Sequence, residues 1–316
     1  MDRGIAGQIK SAIANLNPQQ VREMAERPLA VGLVATTSAG HAAMEDFLAP
    51  PEISRGKRFE LVQILHRVGD PGAPHRFDLE IWEKGLPCPE DAFCFDPKAP
   101  MLTVHAILRR RRDLSLALSR RFHPFRKPVM ERIIRSVSRE NALFSIMAAL
   151  PNVVPSIFEL PWAFGEFASD TAFLTMNQVR MAFLIAVASD HAAGYKEQRA
   201  QIASIVGGAV GWRSLARELV GKVPFGGGLV PKAAIAYAGT YVVGLGLERF
   251  YRIGYGMTRA ERRAAYEEAL ERGREVVASL LRKARTRAGM PRPRKSQCSA
   301  AREDSARSRR SVWPGN

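Results

Sequence analysis

The chain has 316 residues, 46% of them hydrophobic and 25% charged, which suits a globular protein with a sizeable core in one large or two ordinary domains. Its three cysteines, Cys88, Cys94 and Cys298, exclude a disulfide framework and suit a reducing cytoplasm. The formal net charge of +16 is unevenly placed: residues 282–316 hold eleven Lys or Arg against Glu303 and Asp304, a net of +9 that leaves +7 on the rest.

In chain order, residues 1–16 lack the continuous apolar segment of a secretory signal and read as an amphipathic helix, with Ile5, Ile9 and Ile13 at i, i+4 spacing. Asn17 before Pro18 is an N-cap followed by a first-turn proline, opening a helix to about residue 27. Residues 28–35 read as a buried strand, 36–40 as a small polar turn and 41–48 as a helix. Residues 59–68 and 76–82 read as further strands, the second alternating Phe77, Leu79 and Ile81 on one face. A short strand at 92–95, a helix at 100–110 and a strand at 114–118 complete an α/β layer over 28–127.

From 128 to 286 the pattern is helical, with a helix at 129–150, a Pro- and aromatic-containing connection at 151–169 and a helix from Asp170 to about residue 193. A helical hairpin at 198–219 and 231–252 follows. Beyond the hinge at 254–256, Thr258 and Glu261 form a capping box that opens a charged helix to about residue 285. Residues 287–316 are rich in Pro, Arg and Ser and are expected to be disordered.

The strand, turn and helix over 29–48 have the layout of a phosphate-binding loop, which needs a Gly-Lys-Ser/Thr ending. Here His41 stands where the lysine belongs and Ala42 removes the magnesium-binding hydroxyl. The segment is either a degenerate Rossmann or P-loop-like site or an ordinary strand–turn–helix. Asp70-Pro71-Gly72 only faintly matches the acidic turn of a GTPase, and no Asn-Lys-x-Asp motif is present. Nucleotide hydrolysis is disfavoured and no cofactor is expected. The histidines and cysteines show no metal-ligand spacing.

Twelve of the 25 glycines fall between Gly207 and Gly256. Each costs about 1 kcal/mol against alanine within a helix, so their number needs a reason. Ala203, Gly207 and Gly211 recur every four residues on one arm, as do Ala236, Thr240 and Gly244 on the other, a spacing that lets helix backbones approach closely. The hairpin is therefore either a close-packed soluble pair or a membrane-inserting one. Its turn offers a candidate anion nest of Gly226, Gly227 and Gly228 between Lys222 and Lys232. The uncharged runs, 142–158 broken by prolines and 233–247 of about fifteen residues, fall short of the roughly twenty apolar residues of a bilayer crossing.

In the preceding helix, Asn177, Gln178 and Arg180 stand among apolar residues and need partners if buried. Glu159, Glu166 and Asp190 are candidate partners for Arg180, and Asp170 belongs to the same candidate polar network. The network is either structural or a ligand site. Residues 109–127 hold eight basic side chains against Asp113 alone. That cluster and the basic tail are suited to anionic lipid or nucleic acid, or to plain solvation.

The runs Asn141-Ala-Leu, Leu174-Thr-Met-Asn-Gln-Val-Arg-Met181, Gly211-Trp-Arg-Ser-Leu-Ala-Arg-Glu-Leu219, Val223-Pro-Phe-Gly-Gly-Gly228 and Lys232-Ala-Ala-Ile-Ala-Tyr-Ala-Gly-Thr240 resemble the YcjF-type helical domain over about residues 128–255. That domain of unknown function occurs behind Era-like GTPase domains and in bacterial inner-membrane proteins. The resemblance implies a bacterial protein associated with the inner face of the cell membrane and a preceding G domain. The N-terminal half lacks the GTPase motifs, and no catalytic residues carry over. The expectation is a pseudo-GTPase-like interaction or scaffold protein that meets the membrane surface or anionic lipid, or a protein partner. A noncanonical nucleotide-dependent enzyme and a polybasic nucleic-acid binder are the alternatives.

Overall fold

The computed structural model describes residues 3–14, 16–149, 170–208 and 229–287. Helix α1 (Arg3–Ala14) leads into α2 (Pro18–Glu26), where Asn17 caps as expected, its side chain accepting from the Gln19 amide at 3.0 Å. Strand β1 (Val31–Val34) runs into α3 (Ser38–Leu48), then α4 (Arg55–Val62), β2 (Leu65–Arg67), β3 (Leu79–Glu83) and β4 (Phe93–Phe95). A parallel four-stranded sheet results, in the order β2-β1-β3-β4. Val31, Leu33, Leu79, Ile81, Phe93 and Phe95 alternate onto one buried face. On the other face Val68 and Phe77 lie across Gly32, while Cys94 is exposed. The β3–β4 link, residues 84–92, crosses over without a helix, so the sheet departs from a regular doubly wound layer.

Helix α5 (Pro100–Arg110) and a 3₁₀ turn (Arg112–Leu114) lead into α6 (Ser115–Arg121), and α7 (His123–Ala149) follows. Two expected strands are thereby corrected. Over 59–68 only Leu65–Arg67 is extended, because Ser54 caps a helix that buries Leu61 and ends at Val62. Over 114–118 the chain is helical, burying Leu114, Ala117 and Leu118 at i, i+3, i+4. Leu114, Leu116 and Leu118 also alternate, and so short a run cannot separate the two periods. Helix α7 also begins earlier than expected and contains Pro128. It runs through the point at which the sequence pattern divides the chain, and one apolar cluster joins Leu33, Ile81 and Phe95 to Phe125, Ile134, Phe183 and Leu247.

Helix α8 (Asp170–Ala188), α9 (helical over the described residues 199–208), α10 (Leu229–Ile253) and α11 (Arg259–Arg287) make up the rest. The capping box holds: the Glu261 amide donates to Thr258 Oγ1 at 3.2 Å, and the Thr258 amide returns to Glu261 Oε2 at 2.8 Å. Helix α1 folds back on α8, where Ile9 and Ala12 meet Phe144, Phe173 and Met176. An α/β layer followed by helices is thus what forms.

Among the described residues the two small-residue faces do not meet. Ala203 and Gly207 of α9 are exposed. Gly244 of α10 faces α7 instead: a Cβ there would lie 2.7 Å from Ile134 Cγ1. Gly211 and the second half of the first hairpin arm lie outside the described residues.

Two helices are long and apolar enough to cross a membrane, Thr171–Ala188 at mean hydropathy 1.3 and Val230–Ile253 at 1.2. Core helices of soluble proteins meet the same criterion. The protein fully buries 78% of the first but only 50% of the second, whose remaining residues are mostly partly buried.

Candidate functional site

Asn177, Gln178 and Arg180 do come together, with partners that the sequence pattern does not single out. Asn177 Nδ2 donates to Asn141 Oδ1 at 2.9 Å, and Asn141 Nδ2 donates to Thr240 Oγ1 at 2.7 Å. Gln178 Nε2 reaches the same hydroxyl at 3.3 Å, which itself donates to the Ala236 carbonyl at 2.9 Å. Asn141, Asn177 and Thr240 are at most 1% exposed. Arg180 Nε donates to Asn177 Oδ1 at 3.1 Å, and its guanidinium pairs with Glu140 at the half-buried edge.

Glu140, rather than Asp190, is therefore the carboxylate on Arg180. It lies one residue before Asn141 on α7, so a single turn supplies both the charge and the amide. Glu159 and Glu166 fall outside the described residues, and Asp170 opens α8 with its side chain outside them. The buried side-chain atoms left without a hydrogen bond on Gln8, Ser138, Gln201 and Arg249 lie outside this network. Among the described residues these hydrogen bonds link α7, α8 and α10 and fix the register of three helices.

Asp190 anchors a different cluster. Its backbone is left-handed, with φ at 66°, and its carboxylate meets Lys57 Nζ at 2.8 Å, Arg126 at 3.5 Å and Arg120 at 3.8 Å. Burial pushes the Arg126 guanidinium down and Asp190 pulls it back up. This cluster absorbs much of the basic run 109–127. Arg110 donates to the Ala92 and Glu90 carbonyls, Arg111 to the Asp78 carbonyl and to Asp113, and Arg121 faces Glu60 at 3.9 Å. Five of the eight cations thus clamp the fold.

The β1–α3 turn has a distinct geometry. Parallel strands β1 and β3 are neighbours whose connections leave in opposite directions, and in open α/β sheets ligands bind outside the carboxyl ends at such a switch point. There the Thr36 amide and hydroxyl donate to Glu83 Oε2 at 3.2 and 3.3 Å, and Thr37 caps α3 by accepting from the Gly40 amide at 3.0 Å. A Cβ on Gly40 would fall 2.5 Å from Glu83 Oε1 and 2.7 Å from Oε2. The carboxylate at the end of β3 is thus seated against the first turn of α3, where the helix dipole favours an anion. Where a phosphate-binding loop holds phosphate, this chain places its own acid. His41 turns back to its own helix, Nδ1 lying 3.1 Å from the Thr37 carbonyl.

Of the candidate anion nest, Lys222, Gly226, Gly227 and Gly228 lie outside the described residues, and Lys232 is exposed in the first turn of α10. Among the described residues no group of His, Cys, Asp and Glu has the makings of a metal site. Compared with models of known families, with curated proteins and with solved structures, the chain matches none.

Proposed function

We propose that this chain is a membrane-associated interaction or scaffold protein, with a pseudo-GTPase-like α/β layer and no catalysis of its own, acting at the inner face of a bacterial cell membrane. The resemblance of its helical part to YcjF-type domains belongs to the same reading. The observation that carries it is α10, where Val230–Ile253 is long and apolar enough to cross a membrane and only half is fully buried. Extraction of cell membranes tests it. The protein is expected in the membrane fraction, resisting high salt; a wholly soluble protein without extraction would overturn the reading.

The noncanonical nucleotide-dependent enzyme is the second reading, and the switch-point position of the β1–α3 turn favours it. The seating of Glu83 weighs against it, because a phosphate would meet a carboxylate already bound to the amide and hydroxyl it needs. Magnesium-dependent binding of GTP or ATP in a titration would decide for this alternative. The nucleic-acid reading loses support from the internal use of Arg110, Arg111, Arg120, Arg121 and Arg126.

A further inference from the structure

The corner between α10 and α11 combines three features found together nowhere else among the described residues. The first is apolar exposure. Phe250 and Ile253 lie one turn apart on α10 and are 36% and 37% exposed, and Tyr255 just beyond is 60% exposed. Phe250 and Met257 also border an open groove of about 400 Å³ between α9 and α10, whose walls include Ile205, Val243 and Leu247. Single exposed apolar residues are ordinary, whereas a contiguous set marks a contact surface.

The second feature is charge. Residues 248–263 hold five arginines and two glutamates. Glu248 is paired with Arg252 at 2.9 Å, and Glu261 is held by the Thr258 amide and by Arg249 at 2.7 Å. The side chains of Arg259 and Arg262 are exposed and make no hydrogen bond or ion pair among the described residues; Arg262 stands at the mouth of the groove.

The third is preorganisation. Arg249, fixed by Glu261, lies 5.4 Å from the centre of the Tyr255 ring, so the most exposed aromatic of this corner is held by a cation. Aromatic rings flanked by arginines are what the interface of a bilayer accommodates, rings at headgroup depth and cations against lipid phosphates.

Resting on the proposed membrane association, we infer that this corner is the surface by which the chain docks on a bilayer containing anionic phospholipid. Phe250, Ile253 and Tyr255 enter the headgroup boundary, and Arg259 and Arg262 meet the phosphates. A cation near an anionic surface contributes about 1 kcal/mol, a factor of about five in affinity.

The test is flotation of the full chain with vesicles of phosphatidylcholine alone and of phosphatidylcholine mixed with phosphatidylglycerol. The wild type is expected to float with the mixed vesicles and less with the neutral ones. Arg259→Gln with Arg262→Gln, both exposed and without structural partners, should weaken binding to the mixed vesicles about 25-fold. Phe250→Ser with Tyr255→Ser should abolish flotation while leaving the far-ultraviolet circular dichroism unchanged. If both variants float like the wild type, the inference fails and membrane association proceeds by another surface. If the wild type is membrane-bound in cells yet ignores both vesicle types, the docking partner is a protein; the inference again fails and the wider reading stands. A wild type soluble in cells and indifferent to vesicles overturns both.

Discussion

Two glycines on α10, two residues apart, should respond in opposite directions to the same substitution. A methyl group at Gly244 would sit 2.7 Å from Ile134 Cγ1 and 2.8 Å from Cγ2, and Ile134 is 1% exposed with no space to retreat. Overpacking of that kind costs about 1–3 kcal/mol, against about 1 kcal/mol gained by replacing a helical glycine with alanine. Gly246 has nothing within 4 Å of where its Cβ would be, so Gly246→Ala keeps only the gain, about 0.5–1 kcal/mol. Equilibrium urea denaturation of the two variants, compared at constant slope, isolates the packing term as their difference, about 1–3 kcal/mol. Gly244→Ala should melt below Gly246→Ala by several degrees. If the two variants are equally stable, α10 does not lie against α7 at Ile134, and the assignment of its small-residue face is wrong.

The remaining predictions use the same logic. Thr240→Val should cost about 1–3 kcal/mol by stranding the Asn141 and Gln178 amides, whereas Thr240→Ser keeps the acceptor and most of the stability; thermal melts compare them. Asp190→Ala leaves Lys57, Arg120 and Arg126 facing one another and keeps a Cβ at φ 66°, which glycine removes, so Asp190→Gly should be the milder change by about 1 kcal/mol in denaturation. Glu83→Ala should cost about 1 kcal/mol through the lost Thr36 contacts, and phosphate titration of that variant by calorimetry checks whether the vacated turn takes an anion; saturable binding would revive the nucleotide reading. The Glu261 carboxyl is lowered from 4.5 to about 2 by the Thr258 amide first, then by Arg249 and the Thr258 hydroxyl. A depressed value means that this contribution is complete above 4.5 and is lost as pH falls toward about 2. Protection of the Thr258 amide from hydrogen exchange should decline over that window, and in Glu261→Gln, which keeps an acceptor but does not titrate, it should not change across it.

Local chemistry was legible without the fold. Asn17 with Pro18, and Thr258 with Glu261, each settle a helix start through backbone amides a few residues away, and both caps form as read. The short strands at 31–34, 79–83 and 93–95 were likewise visible from apolar alternation between turns. What failed were runs of five to ten residues in which helix and strand periods coincide, around Phe59 and around Leu116. The polar helix announced that Asn177, Gln178 and Arg180 needed partners but not which ones: Glu140, Asn141 and Thr240 lie 36 to 62 positions away in sequence, and only packing brings them close. The direction of the α10 small face was equally hidden, since spacing shows that a helix approaches something closely but not what.

Sequence gives every arginine the same weight, and here the distinction between them bears directly on function. In the run 109–127, five cations end on carbonyls and carboxylates of the fold and are unavailable to any partner without loosening it. At the α10–α11 corner the acids are spent on Arg249 and Arg252, while Arg259 and Arg262 remain beside exposed Phe250 and Tyr255. The same contrast separates the two polar sites. Among the described residues the Asn141–Thr240 network and the Glu83 turn make their hydrogen bonds within the fold. In a molecule whose buried polar groups are so largely paired within the fold, a surface that stays both apolar and cationic, as this corner does, has binding energy left to release.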